Sequence, residues 1–259
     1  MNSYKTISLK QQIWSTDNLP EVAHLGHGVF ETFLVKKANE NVGLCFFDRH
    51  LKRINAARQE LFSTTGPLEK EILLSGIKLI LGSNLNQLVR IIAYQDKTFI
   101  TIKPWEPSLP DNDLKLMSYN ASRPLPHLKH CSSIISVLAR ESALRQGFHE
   151  ALLVDNDCTI TEGAWSSFFW IENHSVVTTK NNVLPGIVRE VLLECYPIEQ
   201  KNITIADLKS KATSAFISQA TTGITYIKSI DEKKLEFSSI INELTKLLSA
   251  ASNKELTIL

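Results

Sequence analysis

The sequence predicts an α+β fold in two unequal blocks. Three observations carry that expectation. Short β-rich runs are interleaved with helical runs, both kinds occur in each half of the chain, and two proline clusters separate the halves. The first cluster is Pro104, Pro107 and Pro110, and the second is Pro124 and Pro126. Proline restricts both its own backbone and that of the residue before it, so the second cluster is the expected boundary. Residues 1–120 then form a smaller N-terminal α/β domain, 121–126 a linker, and 127–259 a larger C-terminal domain.

The elements follow in order. Gly28–Lys36 (GVFETFLVK) alternates and is rich in β-branched and aromatic residues, so it reads as a strand, with Leu44–Phe47 as its hairpin partner. Asp48 fits a helix N-cap, and the run after it places Leu51, Ile54, Ala57 and Leu61 at helical spacing. Leu68–Leu81 is a second helix. Gln87–Tyr94 and Thr98–Lys103 are strands around the turn Gln95-Asp96-Lys97, and Leu114–Tyr119 is one more strand. Cys131–Gln146 is helical and stops at Gly147. Strands are expected at Glu150–Val154, Thr159–Thr161, Ser167–Ile171 and Ser175–Thr178. Leu184-Pro185-Gly186 turns into a helix from Ile187 to Cys195. Ala215–Ser218 and Thr225–Ile227 are strands, and Ser238–Ser252 is an amphipathic helix. There is no internal repeat.

Composition excludes several classes. With 259 residues, 43% of them hydrophobic, the chain can bury one large core or two modest ones. The 28 basic and 27 acidic residues balance, so nothing calls for nucleic acid or an acidic membrane surface as partner. The opening MNSYKTISLKQQIW is too polar for a signal peptide, and the longest apolar stretch, near Ile72–Leu81, is interrupted by Ser75, Gly76 and Lys78. The four cysteines form no CxxC pair, and the seven histidines do not join them at ligand spacing. Reduced thiols in a cytoplasmic protein without a structural metal are therefore expected.

Taken singly, the polar candidates have ordinary structural readings. Lys129 reads as a solvated surface lysine, Glu162 as an exposed turn residue, Arg53 as a helix charge, and Thr221-Thr222 as loop. Their combination is more specific. Residues 127–171 place Lys129, Glu150-Ala151 and Thr161-Glu162-Gly163 in one ungapped register. Leu184-Pro185-Gly186-Ile187-Val188-Arg189 follows, and Asp48-Arg49-His50-Leu51-Lys52-Arg53 precedes, with weaker matches at GHGVFET (26–32) and SQATTGIT (218–225).

Together these residues resemble the fold type IV pyridoxal-phosphate (PLP) enzymes, the class IV aminotransferase family. That family includes branched-chain and D-amino acid aminotransferases and 4-amino-4-deoxychorismate lyase. The resemblance spans nearly the whole chain and implies a two-domain, D-amino acid aminotransferase-like fold with pyridoxal 5′-phosphate as cofactor. It implies that Lys129, opening a helix, holds the cofactor and moves the proton, and that Glu162 pairs with the pyridine nitrogen. It also implies that the phosphate is held by Arg53, by the helix start at Ile187-Val188, and by Thr221 and Thr222. These roles are physically sound. A guanidinium can make a bidentate contact to phosphate, and a helix N-terminus presents unpaired N–H groups. A homodimer acting on a small-molecule amine is implied as well, with each site near the subunit interface.

The same motifs serve two chemistries, lyase and aminotransferase. Branched-chain aminotransferases carry tyrosine five residues after the lysine, where this chain has Ile134. D-amino acid aminotransferases use an RG…RxH loop after the middle strand, where this chain turns straight back at Gln95-Asp96. The Lys129-His130 pair and the short chain are closer to aminodeoxychorismate lyase. Ser167 stands where the family usually has Asn, His27 replaces an Asp, and SQATTGIT is nearer the transaminase phosphate loop. Arg90 is the candidate for a substrate carboxylate; an exposed strand arginine is the equal alternative. An inactive scaffold is the non-enzymatic reading, and the joint presence of Lys129, Glu162 and Arg53 argues against it.

Overall fold

The computed structural model describes residues 5–8, 26–38, 41–63, 66–82, 87–106, 109–110 and 113–259. Most of the polar N-terminal stretch lies outside them, as does Pro107. The chain is α+β, as its pattern predicts, and forms two compact units. The first comprises Met1–Glu106, Leu128–Ser132 and Ser252–Leu259, and the second Pro107–His127 and Ser133–Ala251. The short segment carrying Lys129 therefore belongs with the N-terminal residues, whereas the sequence pattern places it in the C-terminal block.

The first unit is built on strands β1 (Lys5–Ser8), β2 (Val29–Ala38), β3 (Asn41–Cys45), β4 (Gln87–Tyr94), β5 (Lys97–Pro104) and β15 (Leu256–Ile258). They pair antiparallel in the order β1-β5-β4-β2-β3-β15. Helices α1 (Phe47–Leu61) and α2 (Lys70–Ile80) supply the other side of its core. In α1 the buried residues Phe47, His50, Ile54, Ala57 and Arg58 recur at helical spacing. Phe33, Leu44, Phe47, Ile54, Leu73, Ile77, Val89, Ile91 and Ile100 form one buried cluster. Each such side chain contributes about 1.5–3 kcal/mol on burial.

Two expected boundaries shift here. The strand expected to reach Phe47 ends at Cys45, and α1 starts at Phe47, with Asp48 inside the first turn instead of at the cap. Phe46 takes the left-handed conformation (φ 54°), and both Phe46 and Phe47 are buried. Burial of two phenyl rings outweighs the roughly 1 kcal/mol that a capping side chain supplies.

The second unit holds β6 (Leu114–Asn120), β7 (Glu150–Val154), β8 (Ile160–Gly163), β9 (Ser167–Glu172), β10 (Ser175–Thr178), β11 (Ile198–Gln200), β12 (Ser214–Gln219), β13 (Gly223–Ile230) and β14 (Lys233–Lys234). They form a sheet in the order β11-β10-β9-β12-β13-β6-β7-β8, with β14 on β13. The β6/β7, β6/β13 and β10/β11 pairs are parallel and the others antiparallel. Every residue of β7 and β9 is buried, which explains why EALLV and SFFWIE read as nearly continuous apolar runs. The helices are α3 (Ile134–Arg145), α4 (Ile187–Cys195), α5 (Ile205–Lys211) and α6 (Ser239–Lys254). No described helix is long and apolar enough to cross a membrane.

Candidate active site

In the first unit, Leu128–Ser132 runs alongside the start of β2. Phe30 N–H donates to Lys129 O at 2.9 Å, Cys131 N–H donates to Gly28 O at 2.7 Å, and Val29 stands opposite His130. Lys129 is thus extended and does not open a helix as the resemblance implies. Its stretch of backbone is committed to β2, and α3 begins only at Ile134. The Lys129 Nζ lies 4.7 Å from the centre of the Phe30 ring, and the Arg90 guanidinium carbon lies 5.4 Å from the same ring. Thr32 and Arg90 are cross-strand partners, and Arg90 Nε donates to Thr32 Oγ1 at 3.2 Å. Arg90 is the exposed strand arginine of the alternative reading, yet it shares an aromatic neighbour with Lys129. His27, before β2, packs its ring on Phe62 and Tyr94 at 4.8 and 5.8 Å.

The opposite face of β2 carries Glu31, fully buried. Arg53 reaches it from α1 with both edges of its fork, Nε to Oε1 at 2.6 Å and Nη2 to Oε2 at 2.7 Å. The bidentate contact expected of Arg53 is therefore made to a carboxylate of its own unit. His50 Nδ1 donates to Glu31 Oε2 at 2.6 Å, while its buried Nε2 has no hydrogen-bond partner. Burial pushes the Glu31 carboxyl up, but Arg53 and His50 outweigh it and hold it down at about 2. Burial lowers His50 against the pull of Glu31, and the charges of Arg53 and Lys129 lower it further. Glu31 lies within GHGVFET and His50 within Asp48–Arg53, but the motifs alone assign neither a role. The available signal is phase: Glu31 alternates with Val29, Phe33 and Val35 on the core face, where an acid requires a partner.

In the second unit Glu162 is buried on β8, not exposed in a turn. Arg123 Nη1 donates to its Oε1 at 2.7 Å, and the Leu184 N–H donates to Oε2 at 3.1 Å. Helix α4 starts after Gly186, as the Leu184-Pro185-Gly186 turn predicts, and the side chains of Ile187 and Val188 are buried. Gly186 backs closely onto Ser167, where an added Cβ would stand 2.5 Å from Oγ. Ser167 in turn pairs across β9/β12 with Ser218, whose buried Oγ has no hydrogen-bond partner. Thr221 and Thr222 form the turn between β12 and β13, with Thr222 Oγ1 donating to Gln219 Oε1 at 3.2 Å. The start of α4 and the end of β12 thus meet at Ser167. Arg189 of the same motif ties the end of β10 to β11 through Thr179 O and Gln200 Oε1, both at 2.9 Å.

In the first unit the structure thus places Lys129 and Arg90 beside Phe30 on one face of β2 and Arg53 with Glu31 on the other. In the second, Gly186, just before Ile187 and Val188, and Ser218, just before the Thr221-Thr222 turn, both meet Ser167, and Glu162 accepts from the Leu184 N–H.

Residues 28–230 match the amino-transferase class IV family. The chain belongs to that family, whose enzymes use pyridoxal 5′-phosphate. It is 30% identical over 136 residues to a probable branched-chain-amino-acid aminotransferase of Synechocystis sp., covering 47% of this chain and 43% of that protein. A branched-chain aminotransferase structure from Thermoproteus uzoniensis superposes with a TM-score of 0.87 at 19% identity, covering 100% and 99% of the two chains. A candidate 4-amino-4-deoxychorismate lyase from Legionella pneumophila gives 0.80 at 22% identity, covering 93% and 97%. The sequence matches span less than half the length of the curated relatives.

The residues present fit this cofactor. The partnerless Ser218 Oγ and the close approach that Gly186 permits suit an anion at the start of α4. In the second unit Glu162 is an acid held in place by two donors; in the first, Lys129 carries an amine near the Phe30 ring. When bound, the pyridine ring supplies an electron sink for a carbanion beside the substrate nitrogen.

Proposed function

We propose that the chain is a PLP-dependent lyase converting 4-amino-4-deoxychorismate to p-aminobenzoate and pyruvate. The observation that carries this reading is the Phe30 ring, which neighbours both the Lys129 amine and the Arg90 guanidinium. In this assignment Lys129 Nζ holds the cofactor covalently and moves the proton once the substrate amine takes its place. Arg90 receives a substrate carboxylate, oriented by Thr32. Glu162 faces the pyridine nitrogen, and the phosphate is taken by Arg53, the N–H groups of Ile187 and Val188, and Thr221 and Thr222. Two further features favour elimination over transamination. Ile134, exposed at the start of α3, offers no hydroxyl, and the β4–β5 hairpin turns straight back at Gln95-Asp96 without an RG…RxH loop. Elimination breaks one C–O bond, releases pyruvate, aromatises the ring and consumes no keto acid.

The second reading is an aminotransferase for branched-chain L- or D-amino acids, favoured by the sequence likeness to branched-chain enzymes. A steady-state assay separates them. Aminodeoxychorismate without an acceptor should yield p-aminobenzoate; no product there, with robust transfer from L-leucine or D-alanine to 2-oxoglutarate, rejects the lyase. Borohydride reduction should trap the cofactor on wild-type protein and not on Lys129→Ala; trapping at another lysine removes Lys129 from its role. The working form in this reading is a homodimer, and a fully active monomer on sedimentation would contradict that.

A further inference from the structure

We propose that Arg123 is a positioning residue for the cofactor ring, acting through Glu162. The proposal rests on the assignment of Glu162 to the pyridine nitrogen. Arg123 lies in 121–126, the stretch that reads from sequence as a bare linker. In the structure its first residue is anchored, because Ala121 N–H donates to Val154 O at 2.9 Å beside the end of β7. Pro124 then holds the backbone of Arg123 away from the helical region. From that extended backbone the side chain turns inward, 12% exposed, and meets Glu162, 5% exposed, at 2.7 Å. A guanidinium in a Pro-x-Pro connector has no structural need to be buried. Burying both partners is costly unless the geometry is good, so the pair is a committed arrangement.

The consequence lies in the orientation of Glu162. A carboxylate at the end of two rotatable bonds can present either oxygen in many directions. Here Oε1 is held by Arg123 and Oε2 by the Leu184 N–H, one donor from the connector and one from the turn that precedes α4. With both oxygens engaged, the remaining lone pairs point in defined directions, and a ring N–H must approach along one of them. Arg189 adds a second positive charge in range of the same carboxylate, but its own hydrogen bonds go to Thr179 and Gln200. Among these hydrogen bonds, the one from Arg123 is therefore the side-chain contact that aims Glu162.

The test compares apparent affinities of the full chain, stripped of cofactor, for pyridoxal phosphate and for its 1-deaza analogue, in which C–H replaces the ring nitrogen. Wild type should prefer the nitrogen-bearing cofactor by about tenfold or more, the value of one charge-assisted hydrogen bond. Arg123→Gln should cut that preference to about threefold or less while leaving 1-deaza binding unchanged. Arg123→Lys should fall between, and it carries the test alone if the glutamine variant does not fold. A preference equal to or above that of wild type in the variants overturns the proposal. A wild-type ratio near one removes the Glu162 assignment itself, a separate failure visible before any variant is made.

Discussion

Glu31 and Glu150 are both fully buried, yet their carboxyls move in opposite directions. Glu31, in the first unit, sits between a forked Arg53 and His50 and is held down at about 2. Glu150, in the second, opens β7 with no cation hydrogen-bonded to it among the described residues. Burial raises it to about 7 against the weaker pull of the amides of Ala151, Ala164 and Trp165 and the charge of Arg140. One of its oxygens accepts from Ala151 N–H at 2.9 Å, and the other has no partner. Burial alone thus does not decide charge; the nearest donors do.

The largest expected effect comes from breaking the paired acid. Glu31→Gln leaves the Arg53 charge buried beside a neutral amide, at a cost of about 3–5 kcal/mol. Chemical denaturation at pH 7 measures it, and a loss below about 1 kcal/mol would mean that Arg53 and His50 do not need the anion. Next is Glu162, another buried acid on a guanidinium. Glu162→Gln should fold and bind cofactor but turn over on the order of a hundredfold more slowly. Near-normal turnover would place Glu162 among structural acids like Glu31.

The comparison sharpens with pH. Glu31 has a folded value below its ordinary 4.5, so its contribution, about 3 kcal/mol, is present above 4.5 and lost as pH falls toward 2. Glu150 has the opposite sign. Its contribution is complete below 4.5 and lost as pH rises through about 7, again by about 3 kcal/mol. Glu150→Gln should flatten the stability profile between pH 5 and 8, whereas an unchanged slope would assign it to other groups. The smallest effect is expected where the geometry is good but water is near. Arg49 grips Glu255 through two hydrogen bonds of 2.7 and 2.8 Å, at 23% and 34% exposure. Glu255→Gln should cost less than about 1 kcal/mol, less still in high salt.

How much of this was legible in sequence depends on range. Periodicity locates the hairpin of β4 and β5 and the long helices, and the Leu-Pro-Gly turn locates the start of α4. Strands β1, β11, β14 and β15 are two to four residues each, too short for a period to register. The extended state of Lys129 depends on pairing with β2 about a hundred residues away, which no local pattern encodes. Arg123 is hidden for the same reason, since prolines around it announce a connector and say nothing of Glu162. Glu31 was readable, because an acid in phase with three core residues announces a buried partner.

Leu128–Ser132 belongs to the first unit while the chain on either side of it belongs to the second. The path changes units at 106/107, 127/128, 132/133 and 251/252, so a recombination event that exchanged one unit intact would need four junctions. A single crossover would part Lys129 from the strand it pairs with or strip β15 from its sheet. The units are therefore not separable cassettes. Swapping one unit between relatives would break the pairing of Lys129's segment with β2 unless all four junctions were respected.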